Sequence, residues 1–553
     1  MQLVKKSRTR RSVTRLVAVA VLAVNVVATT ASAAPLDPAG VLDTIESNST
    51  GTQATATAHF SPAKKGRKVE LQALTIVTTS TDEVKTAKWK TLETEKEAAD
   101  GDVTFDIDNP LEVSHSYRAV TEVDDVETVS NEVTFAAART SKSTGLSTIY
   151  LNTNEGRSIN TRSRYFEGQF TMTASSALPE CAAVPTQSHA SAKGRGNYSW
   201  SFSKKSFTLK LDKKVDLCGM GKSKKWALIS SAYDKSLLRT SAAFDIGSKL
   251  TNMAWTPQAK PVDLYINGSY RGSYLLVERI TIDEDRVDID ELKNGAEEDP
   301  TGSNDTEPNI TGGYVLEWDF RKGSDHNVTA GKRGWVGIKE PEDEDDDSGI
   351  TKKQVHYVNT YLDATDKALY GSSWKSDTKG WKKYIDERSA VDYFIAQEIM
   401  KPVDGNMWAS VYMYKARDGK LFFGPMWDYD LAAGSADREG GTRATTGWYV
   451  KNNTRTSAKQ ASSTWFVRLN DDPDFQKAVK ARWNEVYPQL KAEDAFLASQ
   501  RSVIKKSADA NFDKWSVKAH ISDAQVVRGS WSKEVSYLRD WLKDRISWMN
   551  KQY

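Results

Sequence analysis

The stretch that most constrains this chain is residues 401–430, KPVDGNMWASVYMYKARDGKLFFGPMWDYD. Two short apolar runs, 410–414 and 420–423, flank Arg417-Asp418-Gly419. Asp-Gly between alternating runs is a strong hairpin signal, because both residues accept the positive φ that a tight turn demands. Asp404 opens the stretch in a Val-Asp-Gly-Asn turn. The second run continues through Gly424-Pro425 into Trp427-Asp428-Tyr429-Asp430. A hairpin brings its open ends together, so Asp404 and Asp428 are expected to face one another although 24 positions separate them. Carboxylates on loops at such an end suit the holding of a divalent cation and the orientation of a nucleophile. The structural alternative is two turn aspartates that cap their own backbones.

Upstream, residues 193–200 read KGRGNYSW. Gly-x-Gly lets backbone N–H groups approach a phosphate, here at Gly194 and Gly196, and Lys193 and Arg195 add positive charge. Gly-Arg-Gly is equally a good tight turn. The run 206–211 alternates strictly, with Phe207, Leu209 and Leu211 on one face and Ser206, Thr208 and Lys210 on the other. If the strand lines a cleft, Lys210 points at whatever the glycine loop covers; otherwise it is a solvent-facing lysine. Asp234 is expected to cap a helix running to about residue 250. Asn267-Gly268 marks a hairpin over 262–277, with Glu278 ending its second strand. In 385–400, Val391, Phe394, Ile395, Glu398 and Ile399 recur at helical spacing and are expected to bury one face. That helix delivers the chain to Asp404.

Six segments occur in a telling order: RGNYSW (195–200), KKSFTLKLDKK (204–214), GKSKKWALISSAYDKSLLRTSAAFDI (221–246), VDLYINGSYRGSYLLVERI (262–280), TGGYVLEWD (311–319) and FGPMWDYD (423–430). Together they resemble the spore-coat protein H (CotH) family of atypical kinases over about residues 147–490. The resemblance implies a two-lobed, kinase-like α+β architecture that uses ATP with Mg²⁺ or Mn²⁺. It implies that Asp404 accepts the proton of a substrate hydroxyl and that Asp428 grips the metal on the nucleotide phosphates. Asn406 and Asp430 are then further metal contacts. Lys210 becomes the strand lysine on the α/β phosphates, beside Arg195 and Gly196, with Glu278 as its ion-pair partner and Glu317 and Asp319 behind it. The chain departs from standard protein kinases in having no His-Arg-Asp or Asp-Phe-Gly, and the segment 234–250 carries no glutamate. Transfer of a nucleotidyl or amino-acid group instead of phosphate stays open.

At 553 residues the chain is too long for one core. Lys+Arg 76 against Asp+Glu 74 leaves no global field to recruit nucleic acid or an anionic membrane. Residues 1–34 read as a signal peptide: Lys5, Lys6, Arg8, Arg10, Arg11 and Arg15, an apolar core over 16–28, and Ala31-Ser32-Ala33 as a cleavage pattern. Arg10-Arg11 leaves general secretory and twin-arginine export both open. The expected product is secreted or wall-associated, without a transmembrane anchor, and its protein substrate lies outside the cytoplasm. In that compartment two cysteines, Cys181 and Cys218, favour a disulfide over two buried thiols.

After a flexible leader over 35–54, alternating runs at 69–77, 84–92, 103–107, 115–123 and 126–135 predict an all-β sandwich of immunoglobulin or fibronectin type over 55–137. Trp89 is its expected core anchor, with Tyr117 packed late in it. Residues 138–146 read as a linker into a kinase-like domain at 147–553 with a helical C-terminal region. Residues 291–310 and 321–332 read as polar loops, the acidic run 340–347 as a solvated loop, and 432–461 as a substrate-side loop. Two rivals use the same residues differently. A secreted glycosidase would pair two carboxylates with platforms such as Trp408 and Trp427. A non-catalytic wall-binding protein would use the sandwich as its working part.

Overall fold

The computed structural model describes residues 39–43, 45–47, 53–78, 85–108, 116–123, 125–134, 144–181, 186–292, 303–342, 349–437, 441–452 and 464–553. The signal peptide, half of the leader, residues 138–143 of the linker and most of the acidic run lie outside them; the described part of the leader, expected to be flexible, pairs as strands at Ala39–Leu42 and Glu46–Ser47 against Gln53–Ser61. The described chain is a mixed, β-rich protein with several sheets, and among the described residues seven α-helices, four of them in the C-terminal region.

Nine strands come first: β1 (Ala39–Leu42), β2 (Glu46–Ser47), β3 (Gln53–Ser61), β4 (Lys68–Thr78), β5 (Lys85–Lys96), β6 (Asp102–Asp108), β7 (Ser116–Val123), β8 (Val126–Val129) and β9 (Val133–Thr134). One sheet runs β1-β3-β2 with β6 on β3, and the other β5-β4-β7-β8 with β9 on β7. Both contribute to one core around Phe60, Leu71, Phe105 and Tyr117. Tyr117 is fully buried there. Trp89 is not in that core: it lies half-buried beneath Arg118, whose guanidinium carbon is 4.4 Å from the ring centroid. The cause is local, because an irregularity opposite Leu71–Gln72 skips Leu92 on β5 and changes which face the residues preceding Leu92 present. Leu92 packs against the core instead.

Seven strands then close into a barrel: β10 (Thr148–Thr153), β11 (Phe166–Met172), β12 (Thr186–Arg195), β13 (Ser206–Asp216), β14 (Lys222–Ile229), β15 (Ala259–Ile266) and β16 (Ser269–Glu278). Their order is β10-β11-β12-β13-β14-β16-β15, and the parallel β10–β15 pairing completes the ring. Closure removes the unpaired edges that an open sheet would expose. Phe207, Leu209 and Leu211 fill its interior with Ile149, Phe170 and Leu276, as their alternation requires. Cys181 and Cys218 are joined. Thr144 and Leu146, read as linker, belong to this unit: Thr144 Oγ1 donates to Asp263, and Leu146 enters the barrel core.

Helix α1 covers Arg239–Lys249, starting later than expected. Asp234 Oδ1 accepts from Ser236 N, Oδ2 accepts from Arg239 N, and Leu237 adopts φ 63°, so residues 234–238 are turns. The third sheet is β17 (Tyr314–Trp318), β18 (His326–Ala330), β19 (Gly334–Glu340), β20 (Val411–Lys415) and β21 (Leu421–Phe423), ordered β18-β19-β17-β20-β21. β18 falls inside the stretch expected to be a loop, because its polar residues sit on an edge strand. β20 and β21 are the expected hairpin, with Met413 opposite Phe423 and Lys415 opposite Leu421.

Helix α2 (Lys352–Tyr370) starts on a capping box between Thr351 and Gln354. Helix α3 (Glu387–Met400) starts on Asp386, whose carboxylate accepts from Ser389 N at 2.7 Å. Residues 389–400 are all buried, so α3 runs through the core and not along its surface. The helices α4 (Trp465–Asn470), α5 (Pro473–Leu490), α6 (Glu493–Lys514) and α7 (Trp531–Asn550) complete the chain; of the C-terminal region expected to be helical over 517–553, residues 517–530 form turns and irregular backbone. α5 and α7 pack on α3, and α6 packs against β16 of the barrel.

Candidate active site

Between the barrel and the third sheet lies a cavity of about 390 Å³. One wall carries Lys193 to Ser199, Ser206 and Thr208, with Arg279 just past the end of β16. The opposite wall carries Glu317, Asp319, Asp404, Ser410, Trp427, Asp428 and Asp430.

The second wall comes from the chain that leaves α3. Lys401 ends the helix at φ 44°, a conformation that L-residues seldom adopt. Its ammonium is held by the carbonyls of Gly441 (3.3 Å), Ala444 (2.9 Å) and Thr446 (2.7 Å). Asn406, Met407, Ser410, Asp418, Asp428 and Ala433 also have positive φ, so seven of the fourteen such non-glycine residues among those described fall between 401 and 433. Such backbone persists only where the surrounding structure over-determines it, and it clusters at functional sites. Ser410 Oγ donates to Asp428 Oδ2 at 3.1 Å, tying the two ends of the hairpin.

Asp428 is open to the cavity, yet crowding by protein raises its carboxyl pKa, and the neighbouring Asp404 adds to the rise. Burial raises Asp430 well above the carboxylate range, with Asp428, Asp234 and Asp404 contributing. Three carboxylates therefore crowd one corner, and the charged forms of Asp428 and Asp430 are the ones disfavoured. Arg321, which donates from Nε to Asp319 Oδ1 at 2.9 Å, lies near enough to interact with both Asp404 and Asp428.

On the first wall, a Cβ at Gly194 would stand 2.2 Å from the Trp200 ring, and Gly196 has φ 99°. Both glycines are needed as glycines. Arg195 places its guanidinium carbon 4.9 Å from the Trp427 ring centroid, linking the two walls. Burial lowers its pKa from the ordinary arginine value. Lys193 lies 4.3 Å from the Tyr165 centroid. Arg162 Nη1 donates to Gly196 O at 2.7 Å and to Asn197 Oδ1 at 2.9 Å, bracing the turn from outside.

The residues singled out in the sequence thus separate into two groups. Arg195, Gly196, Asp404, Asp428 and Asp430 line one cavity. Lys210, Glu278 and Asn406 do not. Lys210 pairs with Ser191 and Lys225, further along β13 from the cavity than Thr208. Glu278 faces Arg286 at 2.6 Å and accepts from Gln258 N at 2.7 Å. Asn406 is buried, with its N–H directed to Gln397 Oε1 at 3.4 Å. Glu317 and Asp319 reach the cavity in company with Lys339 and Arg321. Sequence reading passed over Arg162, Arg321, Ser410 and Lys339; each is an ordinary polar residue whose role depends on distant partners.

A family model described as CotH kinase protein matches residues 192–549. The chain belongs to the CotH kinase family. The match covers most of both cavity walls and, unlike the resemblance read from motifs, takes in α6 and α7, so the C-terminal helices belong to the family-matched segment. No curated protein matches the chain. No helix among the described residues is long and apolar enough to cross a membrane.

Among the described residues no group of three or more His, Cys, Asp or Glu side chains is arranged to hold a metal by itself. Mg²⁺ in phosphoryl-transfer sites is held by one or two carboxylates together with substrate phosphates. Asp428 with Asp430 or Asp404 fits that requirement, because a cation would relieve the crowding that raises the pKa values of Asp428 and Asp430.

Proposed function

We propose that this CotH-family chain transfers the γ-phosphate of ATP to a Ser or Thr hydroxyl of an exported or cell-surface protein, with Mg²⁺ or Mn²⁺ bound. The observation that carries this reading is the meeting of Asp404 and Asp428 with Arg195 and the Gly194–Gly196 turn around one cavity inside the family-matched segment. Asp404 orients the acceptor hydroxyl and takes its proton as that oxygen bonds to the γ-phosphorus and ADP leaves. Asp428, with Asp430 beside it, would hold the metal, which when bound neutralises charge on the phosphates. Arg195 and the backbone N–H groups of the glycine turn bind phosphate oxygens. Arg321, by its proximity, offsets part of the repulsion at Asp428.

The β-sheets of residues 39–134 form, in this reading, an immunoglobulin-like module that spaces the enzyme from the surface where it works. The barrel supplies one kinase lobe; the third sheet and the helices supply the other. Limited proteolysis within 138–146 should release a stable β-rich fragment of about residues 50–137. Cut products that unfold in one joint transition would reject the division.

Thermal stabilisation by ATP with Mg²⁺ or Mn²⁺ tests the function. Wild type and Asp404→Ala should both be stabilised, whereas Asp428→Ala should lose the metal-dependent part. Wild-type protein indifferent to metal and nucleotide, or active on polysaccharide without them, would reject the reading.

A further inference from the structure

The aspartates of the site stand on separate loops, which are joined by Ser410 Oγ on Asp428, by Val403 N–H donating to Leu431 O at 2.8 Å, and by one buried side chain that touches both. Gln397, buried on α3, donates from Nε2 to Tyr429 Oη at 2.7 Å. Its Oε1 accepts from Asn406 N at 3.4 Å. Tyr429 stands between Asp428 and Asp430, and Asn406 lies two residues past Asp404. The approach is close: a Cβ at Gly405 would stand 2.4 Å from Gln397 Oε1 and 2.5 Å from Pro402 Cγ. A carboxamide suits the place because it donates and accepts in fixed, divergent directions.

The Asp404 loop has a second support. Tyr449 Oη donates to Pro402 O at 2.9 Å and Val403 O at 3.3 Å. Tyr449 is itself anchored, since its N–H donates to Glu398 Oε2 at 2.9 Å, and Glu398 pairs at 2.8 Å with Arg545, both fully buried. These contacts hold the Asp404 loop but make no bridge to the Asp428 strand.

We infer that Gln397 is a positioning residue that, together with the Ser410 and Val403–Leu431 bonds, sets the separation between Asp404 and Asp428, and that Tyr449 steadies only the first of them. The inference rests on the division of roles proposed above. Gln397 is joined to neither carboxylate; it acts through the peptide of Asn406 and the ring of Tyr429. Removing it lets the acceptor side drift relative to the nucleotide side while each stays formed.

The test uses the full chain, radiolabelled ATP with Mn²⁺, and an immobilised library of Ser- and Thr-containing peptides. Labelling is expressed per nucleotide-binding molecule, counted by calorimetric stoichiometry, so that partial unfolding does not enter. Gln397→Met keeps the volume and removes both hydrogen bonds. It should lower labelling about 10- to 100-fold, the scale of an ångström-sized misplacement, with nucleotide Kd within about threefold. Gln397→Glu keeps an acceptor for Asn406 N and, protonated, a donor for Tyr429, and should recover about tenfold of that loss. Tyr449→Phe should lower labelling about threefold to tenfold by the same route. Labelling by Gln397→Met within twofold of wild type, or labelling and affinity falling together, would overturn the inference. If wild type labels no peptide, or Asp404→Ala labels as well as wild type, the proposed function fails and takes the inference with it. If those controls behave and Gln397→Met is normal, the inference alone falls.

Discussion

The acidic corner of the cavity draws Asp404, Ser410, Asp428 and Asp430 from one short run of chain, whereas its basic set gathers Arg162, Lys193, Arg195 and Arg279 from the barrel wall and Arg321 and Lys339 from the wall of the aspartates, at positions spread between 162 and 339. The two are also electrostatically unlike. The carboxylates repel one another and are held together by strained backbone. Several cations are already matched: Arg279 with Glu342, Lys339 with Glu317, Arg321 with Asp319. Arg195 and Lys193 lie over aromatic rings. The acidic corner thus stores unfavourable energy that a cation and its phosphates would relieve. The basic side is pre-balanced and offers positioned donors more than net charge.

The largest effect expected from this contrast is at Asp404. Asp404→Ala should lower phosphoryl transfer about 10²- to 10⁴-fold, the usual range for a lost general base, with nucleotide affinity kept. A labelled-phosphate assay reads the first and calorimetry the second. Equal loss of affinity in Asp404→Ala and Asp428→Ala would mean that the corner acts as one metal-binding unit without separate duties.

A stability effect comes next, and it separates the support of the basic side from its chemistry. Glu278 ends β16 just before Arg279, and burial pushes its carboxyl pKa up to about 7, against the pull of Arg286. Glu340 is pushed to about 7 by burial as well. A glutamate whose folded pKa lies above its unfolded value keeps a proton that the unfolded chain releases. Its stabilising contribution is complete below about pH 4.5 and is lost as pH rises through 7. For a group this buried the change is roughly 3 kcal/mol. Denaturant titrations between pH 5 and 8 should therefore show falling stability with rising pH, and Glu278→Gln should flatten the slope. An unchanged slope in the variant would place the titration elsewhere.

The third effect asks which cation meets the phosphates. Arg195 lines the cavity and Lys210 does not. Arg195→Ala should weaken nucleotide binding about tenfold to a hundredfold, as loss of a charge-assisted hydrogen bond does. Lys210→Ala should change it less than about threefold, the level of a charge outside the site. The reverse order would return the phosphate-binding role to the strand lysine and make Arg195 a wall residue.

How much of this was readable in the chain follows the same contrast. The hairpin, its Asp-Gly turn and the meeting of Asp404 with Asp428 were legible because turn chemistry and strand pairing act over short range. The helix α3 was legible from its spacing, though not its complete burial, which depends on α5 and α7. On the basic side alternation correctly put Ser206 and Thr208 on the cavity face of β13. It could not say how far along the strand the cavity extends, and Lys210 falls beyond it. Glu278 was recognisable as a strand-end carboxylate, but its partner Arg286 follows an irregular turn that no periodicity announces. Trp89 shows the same limit in the first sheets, where one bulge at Leu92 redirects the side chains that precede it on β5.

The smallest effect is the most discriminating about how a pre-balanced wall works, and it concerns Arg162. This side chain is exposed, yet its Nη1 reaches both Gly196 O and Asn197 Oδ1. Neither contact is with a carboxylate, so its contribution is to the shape of the glycine turn. An exposed hydrogen bond of this kind is worth about 0.5–1.5 kcal/mol, so Arg162→Ala should weaken nucleotide binding roughly threefold to tenfold and leave thermal stability nearly unchanged. Arg162→Lys separates the two ways in which that loss arises. A lysine keeps the positive charge at the cavity rim but lacks the planar fork that meets two acceptors at once. If the wall works by positioned donors, Arg162→Lys should bind nucleotide as poorly as Arg162→Ala at every salt concentration. If it works by field, Arg162→Lys should restore affinity, and the restoration should fade between 50 and 500 mM salt as screening shortens to about 4 Å. Restored, salt-sensitive binding would show that the two sides of the cavity differ in sign alone and not in how they are built.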